Sequence, residues 1–126
     1  MKPSPSRSDG RQAAERAGRT GERLAEWLLR LKGFQIVARR FKSPAGELDI
    51  VARRGSLLVF VEVKTRRGNA EKAEALEAVA QRRIIAAANA FLSRHEDLAT
   101  CDIRFDVIFV APRKWPDHIR DAFRPE

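Results

Sequence analysis

Two short apolar stretches of the sequence carry acidic side chains where a buried strand would be expected to carry apolar ones. The stretch GELDIV at residues 46–51 contains Asp49, and the stretch FVEVKT at residues 60–65 contains Glu62 and Lys64. Charge in the core of a sheet is costly unless it is paired or binds a metal. Asp49, Glu62 and Lys64 therefore form a candidate site.

Two carboxylates and a lysine at one end of a sheet are the groups that metal-assisted phosphodiester cleavage requires. Mg²⁺ and Mn²⁺ prefer carboxylate, carbonyl and water oxygens, and such a metal lowers the pKa of a bound water. A nearby ammonium can orient that water and stabilise the transition state. The alternative is that Glu62 pairs with Lys64, that Asp49 pairs with an arginine, and that the charges only neutralise one another.

The pairing register of the two strands determines whether Asp49 and Glu62 lie on the same face of the sheet and can form a site. The turn at residues 53–56 predicts a hairpin whose paired residue numbers add to 109, 110 or 111. An odd sum places Asp49 and Glu62 on one face, where their carboxylates can converge, and an even sum places them on opposite faces. Glu47 shares the face of Asp49, and Lys64 shares the face of Glu62.

The elements that must position these residues can be read from the hydrophobic pattern. The predicted order is α-β-β-β-α-β-α, an α/β fold with a mixed sheet flanked by helices on both faces. Predicted helices span residues 13–32, 70–95 and 118–123, the last capped by Asp117, and predicted strands span residues 34–41, 47–53, 57–65 and 101–110. The strand at 57–65 is apolar on both faces, which predicts a central position, and the long helix after it predicts a parallel crossover to the fourth strand.

The chain is predicted to form one domain, residues 13–126, after a flexible basic arm at residues 1–12 that is rich in Pro, Ser, Gly and Arg. In the first helix, Glu22 lies at the border of the apolar arc. It is either a solvated neighbour of Arg19 or Glu26, or a side chain that overhangs a site on the sheet.

Composition favours a polyanionic partner. Among 126 residues the net charge is +8, with 33% charged residues, and a basic excess of this size on a small domain is typical of nucleic-acid binding. A well-solvated basic surface is the alternative. The single cysteine excludes an intramolecular disulfide and a cysteine zinc cluster. The absence of a long apolar run and of a signal-peptide pattern predicts no membrane span and a cytoplasmic setting.

The spacing of the candidate residues resembles a known pattern. Asp49, twelve intervening residues and then Glu62-Val63-Lys64 resemble the D…ExK core of the PD-(D/E)XK, or restriction-endonuclease-like, superfamily. A wider set of motifs is similar to the YraN family, which comprises uncharacterised small bacterial proteins placed near the archaeal Holliday-junction resolvases. These motifs are Gly21-Glu22, Gly46-Glu47-Leu48-Asp49, residues 60–66, Arg104-Phe105-Asp106-Val107, His118-Ile119 and Asp121-Ala122-Phe123.

The resemblance implies a nuclease fold that binds Mg²⁺ or Mn²⁺. It implies Asp49 and Glu62 as metal ligands, the Val63 carbonyl as a third ligand, and Lys64 as the catalytic lysine. It also implies Glu22 as a further acidic member, as in the resolvase relatives. Glu47 falls at a motif position and either assists the metal or pairs with an arginine.

The sequence departs from the family pattern at one position of the long helix. Gln81 stands where family members tend to carry a lysine. Some nucleases of the superfamily use a glutamine in this helix, so Gln81 either faces the site or is a surface residue.

The expected partner is a nucleic acid, DNA before RNA, contacted through its phosphates. Seven basic residues are predicted to make these contacts: Arg39, Arg40, Lys42, Arg66, Arg67, Arg82 and Arg83. No helix-turn-helix or aromatic stacking motif predicts reading of bases.

The predicted function is hydrolysis of DNA phosphodiester bonds, on branched or damaged DNA. The alternatives are a non-catalytic nucleic-acid-binding protein that retains the fold and a basic partner in a larger complex. A homodimer is expected by analogy with the resolvase relatives.

Overall fold

The computed structural model describes residues 7–65 and 78–125, and side chains from residue 19 onward within those ranges. The elements in chain order are α1 (Arg7–Leu31), β1 (Gln35–Ser43), β2 (Gly46–Arg54), β3 (Leu57–Thr65), α2 (Ala78–Ser93), β4 (Asp102–Val110) and β5 (Asp117–Phe123), with a short 3-10 helix (Glu96–Leu98) before β4. The α/β class predicted from the sequence is confirmed.

One five-stranded sheet in the order β1-β2-β3-β4-β5 forms the centre of the described fold. β3 and β4 run parallel, and the other neighbouring pairs are antiparallel. The central position of β3 and its parallel pairing with β4 are both as predicted. The crossover between them includes α2, and residues 66–77 of that crossover lie outside the described residues.

Each face of the sheet carries its own apolar core. On one face α2 packs Ile84, Ala87 and Phe91 against a cluster that includes Phe60 and Phe105. On the other face α1 packs its own apolar residues against the strands, namely Ala25, Leu28 and Leu29 on Ile50, Val59, Val61 and Ile108. The alternation of side chains along β3 therefore supplies both cores, because successive residues of a strand point to opposite faces.

The connection from α1 to β1 is a Schellman motif. The N–H of Phe34 donates to the carbonyl of Leu29 at 3.0 Å and the N–H of Gly33 donates to the carbonyl of Arg30 at 3.0 Å. Gly33 has φ +89°, a conformation that glycine adopts without the steric penalty of a Cβ. The motif ends the helix and turns the chain into the sheet.

One predicted boundary and one predicted element are wrong. α1 begins at Arg7 rather than at residue 13, so residues 7–12 of the predicted arm are helical. These residues are followed by alanines, arginines and glutamates, all of them good helix formers. Residues 1–6 lie outside the described part of the chain.

The predicted final helix at residues 118–123 is also wrong, because these residues form β5. β5 pairs antiparallel with β4, including Val107 with Ile119 and Phe105 with Phe123. Without β5, β4 would be an unpaired edge strand with its backbone N–H and C=O groups unsatisfied. The backbone hydrogen bonds that residues 117–123 form with β4 therefore outweigh their weak local preference for a helix.

Candidate active site

The register of β2 and β3 brings the two candidate carboxylates together. The paired residues run from Arg54–Leu57 to Ile50–Val61, and the numbers of each pair add to 111. The odd sum places Asp49 on the face of Glu62, as the site required. At this point β2 and β3 stop pairing through their backbones, and the N–H of Val63 donates instead to Oδ2 of Asp49 at 2.8 Å.

Asp49 and Glu62 are joined by a side-chain hydrogen bond. Burial first, and then the negative charge of Asp49, raise the pKa of Glu62 to about 8 against the opposing effect of Lys64. Burial also raises the pKa of Asp49, and the hydrogen bonds from Val63 and Glu62 act against that rise. The directions are consistent with one proton shared by the pair and held mainly by Glu62.

Lys64 is the cation that contacts this pair. Its Nζ lies 3.5 Å from Oε1 of Glu62, and the two side chains are 37% and 18% exposed. The ammonium is therefore close enough to neutralise the pair in part, and it remains open to solvent and to an anionic ligand.

Glu22 approaches the site from α1. Its negative charge raises the pKa of Asp49, as does that of Glu47. Its Oε2 accepts a hydrogen bond from Nε of Arg40 at 2.8 Å. Arg40 has φ +51°, a conformation that is uncommon for a residue other than glycine. The side chain of Glu22 is thus held by an arginine of β1, and its part in a site on the sheet stays a prediction.

A second arginine–glutamate pair lies one turn further along α1. Nε of Arg39 donates to both carboxylate oxygens of Glu26, at 2.9 and 3.0 Å. Glu26 is buried, and its charge is compensated by this fork-like contact. Arg39 and Arg40 therefore attach β1 to α1, and both remain partly exposed along an open cleft of about 510 Å³.

The other predicted residues lie around this centre in different ways. Glu47 is exposed on β2 opposite Lys42 of β1. Gln81 and Arg82 line a different cleft, which they share with Arg124. Arg83 is exposed at the start of α2, and its carbonyl lies against Gly46. Arg66 and Arg67 lie outside the described residues.

Sequence reasoning assigned no role to Asp106, the fully buried carboxylate of β4. Arg104 donates to both of its oxygens at 2.8 Å, the N–H of Asp121 donates at 3.0 Å, and Nε2 of His118 lies 2.7 Å away. Nδ1 of His118 lies 2.8 Å from Nζ of Lys32. Because a lysine ammonium can only donate, Nδ1 accepts and Nε2 carries the proton to Asp106. This network joins the turn that follows α1 to β4 and β5.

The sequence signal for this network was the RFD motif together with His118. Burial raises the pKa of Asp106, but the hydrogen bonds from His118, Arg104 and Asp121 outweigh burial and bring it to about 2. Asp106 is thus a buried, ionised and fully bonded structural residue.

The donor set of the site fits a hard divalent cation. Within residues 7–65 and 78–125, no three His, Cys, Asp or Glu side chains converge as metal ligands. Two carboxylates do meet, in Asp49 and Glu62, and Mg²⁺ commonly takes one or two carboxylates, with waters and substrate phosphates completing its shell. A cation between them would replace the shared proton and remove the repulsion between the two charges.

The fold and this site define a class: a small α/β protein with a mixed sheet, helices on both faces and a carboxylate pair with a lysine where two strands stop pairing. A family model described as "Uncharacterised protein family UPF0102" matches residues 21–110. The chain belongs to this family, and the predicted membership of an uncharacterised bacterial family is confirmed. None of the helices in the described part of the chain is long and apolar enough to cross a membrane.

Relatives that carry the same family name match almost the whole chain. A protein from Chelativorans sp. (strain BNC1) is 50% identical over 113 residues, which cover 90% of this chain and 91% of that protein. A protein from Parvibaculum lavamentivorans is 52% identical over 113 residues, 90% of this chain and 85% of its own length. A protein from Nitrobacter winogradskyi is 50% identical over 113 residues, 90% and 96% of the two chains.

Proposed function

We propose that the protein is a nuclease of the PD-(D/E)XK type that hydrolyses phosphodiester bonds of DNA with the help of Mg²⁺ or Mn²⁺. The observation that carries the proposal is the hydrogen-bonded pair of Asp49 and Glu62 with Nζ of Lys64 3.5 Å from Glu62. If these buried charges served only to stabilise the fold, one carboxylate paired with one cation would be sufficient. Two adjacent carboxylates that are buried together, with Asp49 raising the proton affinity of Glu62, are instead poised to exchange a proton for a cation.

In this proposal each side chain has a separate task. Asp49 and Glu62 would hold the cation, and the carbonyl of Val63 would be a further protein ligand. When bound, the cation would supply the positive charge that lowers the pKa of a water and offsets charge on the phosphate. The ammonium of Lys64 orients the attacking water and stabilises negative charge that develops on the phosphate. Glu22 contributes a third negative charge above Asp49 when Arg40 moves to a phosphate.

The basic surface supports a polyanionic substrate. Arg39, Arg40 and Lys42 lie on β1 beside the site, and Arg83 lies near the start of β2. Contacts from such residues to phosphates give affinity without sequence preference and depend strongly on salt. DNA is the proposed partner, met in the cytoplasm, with branched or damaged forms as substrates.

The proposal is tested by cleavage of end-labelled DNA. Branched, single-stranded and duplex DNA are incubated with the protein and with Mg²⁺, Mn²⁺ or a chelator. We expect metal-dependent cleavage that falls at least about 100-fold in Glu62→Ala and in Lys64→Met, since each removes a group that acts on the transition state. Cleavage that survives Glu62→Ala would come from a contaminant.

The matched control is Asp97→Asn, which also removes one carboxylate. Asp97 is exposed in the 3-10 helix before β4, and the start of β4 pairs with the start of β3. Glu62 and Lys64 lie near the other end of β3, so Asp97→Asn should cleave as the native protein does. If the native protein cleaves none of these substrates, the proposal that it is a nuclease is refuted.

Binding without cleavage is the second candidate function. The observation that favours it is that two of the acids already have cationic partners, Arg40 for Glu22 and Lys64 for Glu62. This candidate predicts salt-sensitive binding to DNA that does not change with divalent cations or with Glu62→Ala. The nuclease predicts that both change it.

A further inference from the structure

An apolar groove of about 570 Å³ lies between α1 and the loop that joins β4 to β5. Its walls include Leu24 and Trp27 of α1, Val110 at the end of β4, Pro112 and Trp115 of the loop, and Thr65 at the end of β3. The groove belongs neither to the carboxylate pair nor to the cleft beside Arg39 and Arg40.

Two tryptophans stand open to solvent in this groove. Trp115 is 66% exposed and Trp27 is 46% exposed. Their ring centroids are 5.2 Å apart in an edge-to-face arrangement at 67°. Exposed tryptophans that contact each other in a concave apolar site are unusual on a small protein, and such patches commonly mark binding sites.

The groove lies at the same end of β3 as Glu62 and Lys64. Gly21 lines the groove and precedes Glu22, and Thr65 lines it and follows Lys64. A Cβ on Gly21 would lie 2.8 Å from Cγ2 of Val110 and 3.2 Å from Oγ1 of Thr65. α1 therefore packs closely against the ends of β3 and β4 here. Because successive residues of a strand point to opposite faces, Lys64 points away from the face that Thr65 shares with the groove, and a nucleic-acid strand that passes the carboxylate pair would cross the end of β3 to reach the groove.

The charge around the groove selects an anionic ligand. Arg113 and Lys114 lie in the groove wall beside Trp115, and both are exposed. The whole chain has a net charge of +8. A second copy of the chain would bring the same positive charge to the groove, whereas a nucleic-acid strand brings phosphates for the two cations and flat aromatic bases for the tryptophans.

We propose that this groove binds an unpaired base of the nucleic-acid strand whose backbone passes the carboxylate pair. Trp115 offers a ring face for stacking, Trp27 forms the side wall, and Arg113 and Lys114 contact the adjacent phosphates. The inference rests on the proposed function for the identity of the strand, and it adds a preference for substrates with a single-stranded or extruded nucleotide next to the phosphate that is cleaved.

The chain offers a direct reporter for this site. It contains two tryptophans and no tyrosine, and both tryptophans line the groove, so its intrinsic fluorescence reports on the groove. The probes are a single-stranded DNA oligonucleotide of about 12 nucleotides, the RNA of the same sequence, and an abasic DNA of the same length and charge. Titrations are made with a chelator and without divalent metal, so that no cleavage occurs.

Base stacking predicts a definite pattern of affinities. The two oligonucleotides with bases should quench the fluorescence and bind more tightly than the abasic strand. Trp115→Ala should weaken binding of the base-containing strands by about 5- to 100-fold and leave binding of the abasic strand unchanged. Binding to Trp115→Ala is followed by anisotropy of a labelled oligonucleotide, and the conservative variant Trp115→Phe should retain most of the affinity.

Three results would overturn the inference. The first is equal affinity and equal quenching by abasic and base-containing strands, and the second is an equal loss of affinity for both in Trp115→Ala. The third is a concentration-dependent change in fluorescence without any nucleic acid, accompanied by dimers in sedimentation, which would assign the groove to a second copy of the chain. Because the titration is independent of metal and of Glu62, its failure is distinguishable from the absence of nuclease activity.

Discussion

The N–H of Val63 donates to Oδ2 of Asp49 at 2.8 Å, at the point where β2 and β3 cease to pair. This contact replaces the next rung of the ladder with a side chain. It holds one carboxylate against the strand that carries Glu62 and Lys64. If β2 and β3 had continued to pair here, the N–H of Val63 would bond to a backbone carbonyl. It bonds instead to a carboxylate, which positions Asp49 beside Glu62.

Glu62→Gln should stabilise the metal-free protein. Burial and the charge of Asp49 raise the pKa of Glu62 from 4.5 to about 8, so the folded chain holds this proton more tightly than the unfolded chain. The stability of the native protein therefore falls as pH rises from about 4.5 to 8, and the variant escapes this fall. The difference in free energy of unfolding should grow over this range to about 1–3 kcal/mol.

The measurement is urea unfolding with a chelator at several pH values. Asp97→Asn should differ little from the native protein at any pH, since Asp97 is exposed. A stability difference for Glu62→Gln that is constant across the range would show that no proton is shared between Glu62 and Asp49.

Asp106→Asn should destabilise the fold, and the effect should vanish in acid. The hydrogen bonds from His118, Arg104 and the N–H of Asp121 outweigh burial and lower the pKa of Asp106 from 3.8 to about 2. Its contribution is therefore fully present above pH 3.8 and is lost as pH falls through about 2. We expect a loss of about 2–4 kcal/mol at neutral pH, because the variant leaves buried donors without their anionic acceptor.

Chemical unfolding of both proteins between pH 7 and pH 2 tests this prediction. The control is Asp121→Asn, whose exposed carboxylate pairs with Arg124 and whose φ is +53°. Asparagine tolerates this conformation, so the control should be nearly neutral. Parallel stability curves for Asp106→Asn and the native protein would refute the role of the ionised Asp106.

The sequence was sufficient for the parts of the molecule that local pattern determines. The apolar positions of β3 on both faces predicted its central place, and residue parity limited the hairpin to two outcomes that differ in whether Asp49 and Glu62 meet. The observed odd register is one of them. Binary pattern and strand geometry act over a few residues, so they can be read without the rest of the chain.

The parts that were missed depend on contacts between distant segments. β5 forms because the edge of β4 needs a partner, which no property of residues 117–123 indicates by itself. Trp27 and Trp115 are far apart in the sequence and meet only when the loop after β4 lies on α1. Arg40 and Glu22 are likewise distant in the sequence and meet only in the folded chain. Arg40 was predicted to contact phosphate, and the structure pairs it with Glu22 instead.

Gly46→Ala should destabilise the protein by about 1–3 kcal/mol, because overpacking forces the backbone to move. A Cβ at this position would lie 2.4 Å from the carbonyl oxygen of Arg83, so α2 must shift away from β2. Gly55→Asn is the matched control, since a Cβ there meets nothing within 4 Å and the φ of +60° suits asparagine. Thermal unfolding of both variants measures the difference, and equal melting temperatures would contradict the close approach of α2.

Lys42 and Arg83 should contribute to DNA binding through charge alone. Lys42 stands opposite Glu47 on the β1–β2 ladder, and Arg83 lies against Gly46, so both cations flank the start of β2 that leads to Asp49. Each phosphate contact that is lost should lower the slope of log affinity against log salt by about 0.7–0.9. The double variant Lys42→Gln with Arg83→Gln should therefore reduce the slope by about 1.5 and weaken binding to all sequences alike.

The matched control removes the same charge from elsewhere. Arg54 lies at the end of β2 that is far from Gly46 and Arg120 lies on β5, and both are exposed. Arg54→Gln with Arg120→Gln lowers the net charge by the same amount but removes no cation from the start of β2, so its salt slope should stay close to that of the native protein. Fluorescence anisotropy at four or more salt concentrations gives the slopes. Equal reductions in the two double variants would mean that net charge, and not a defined surface at the start of β2, attracts the nucleic acid.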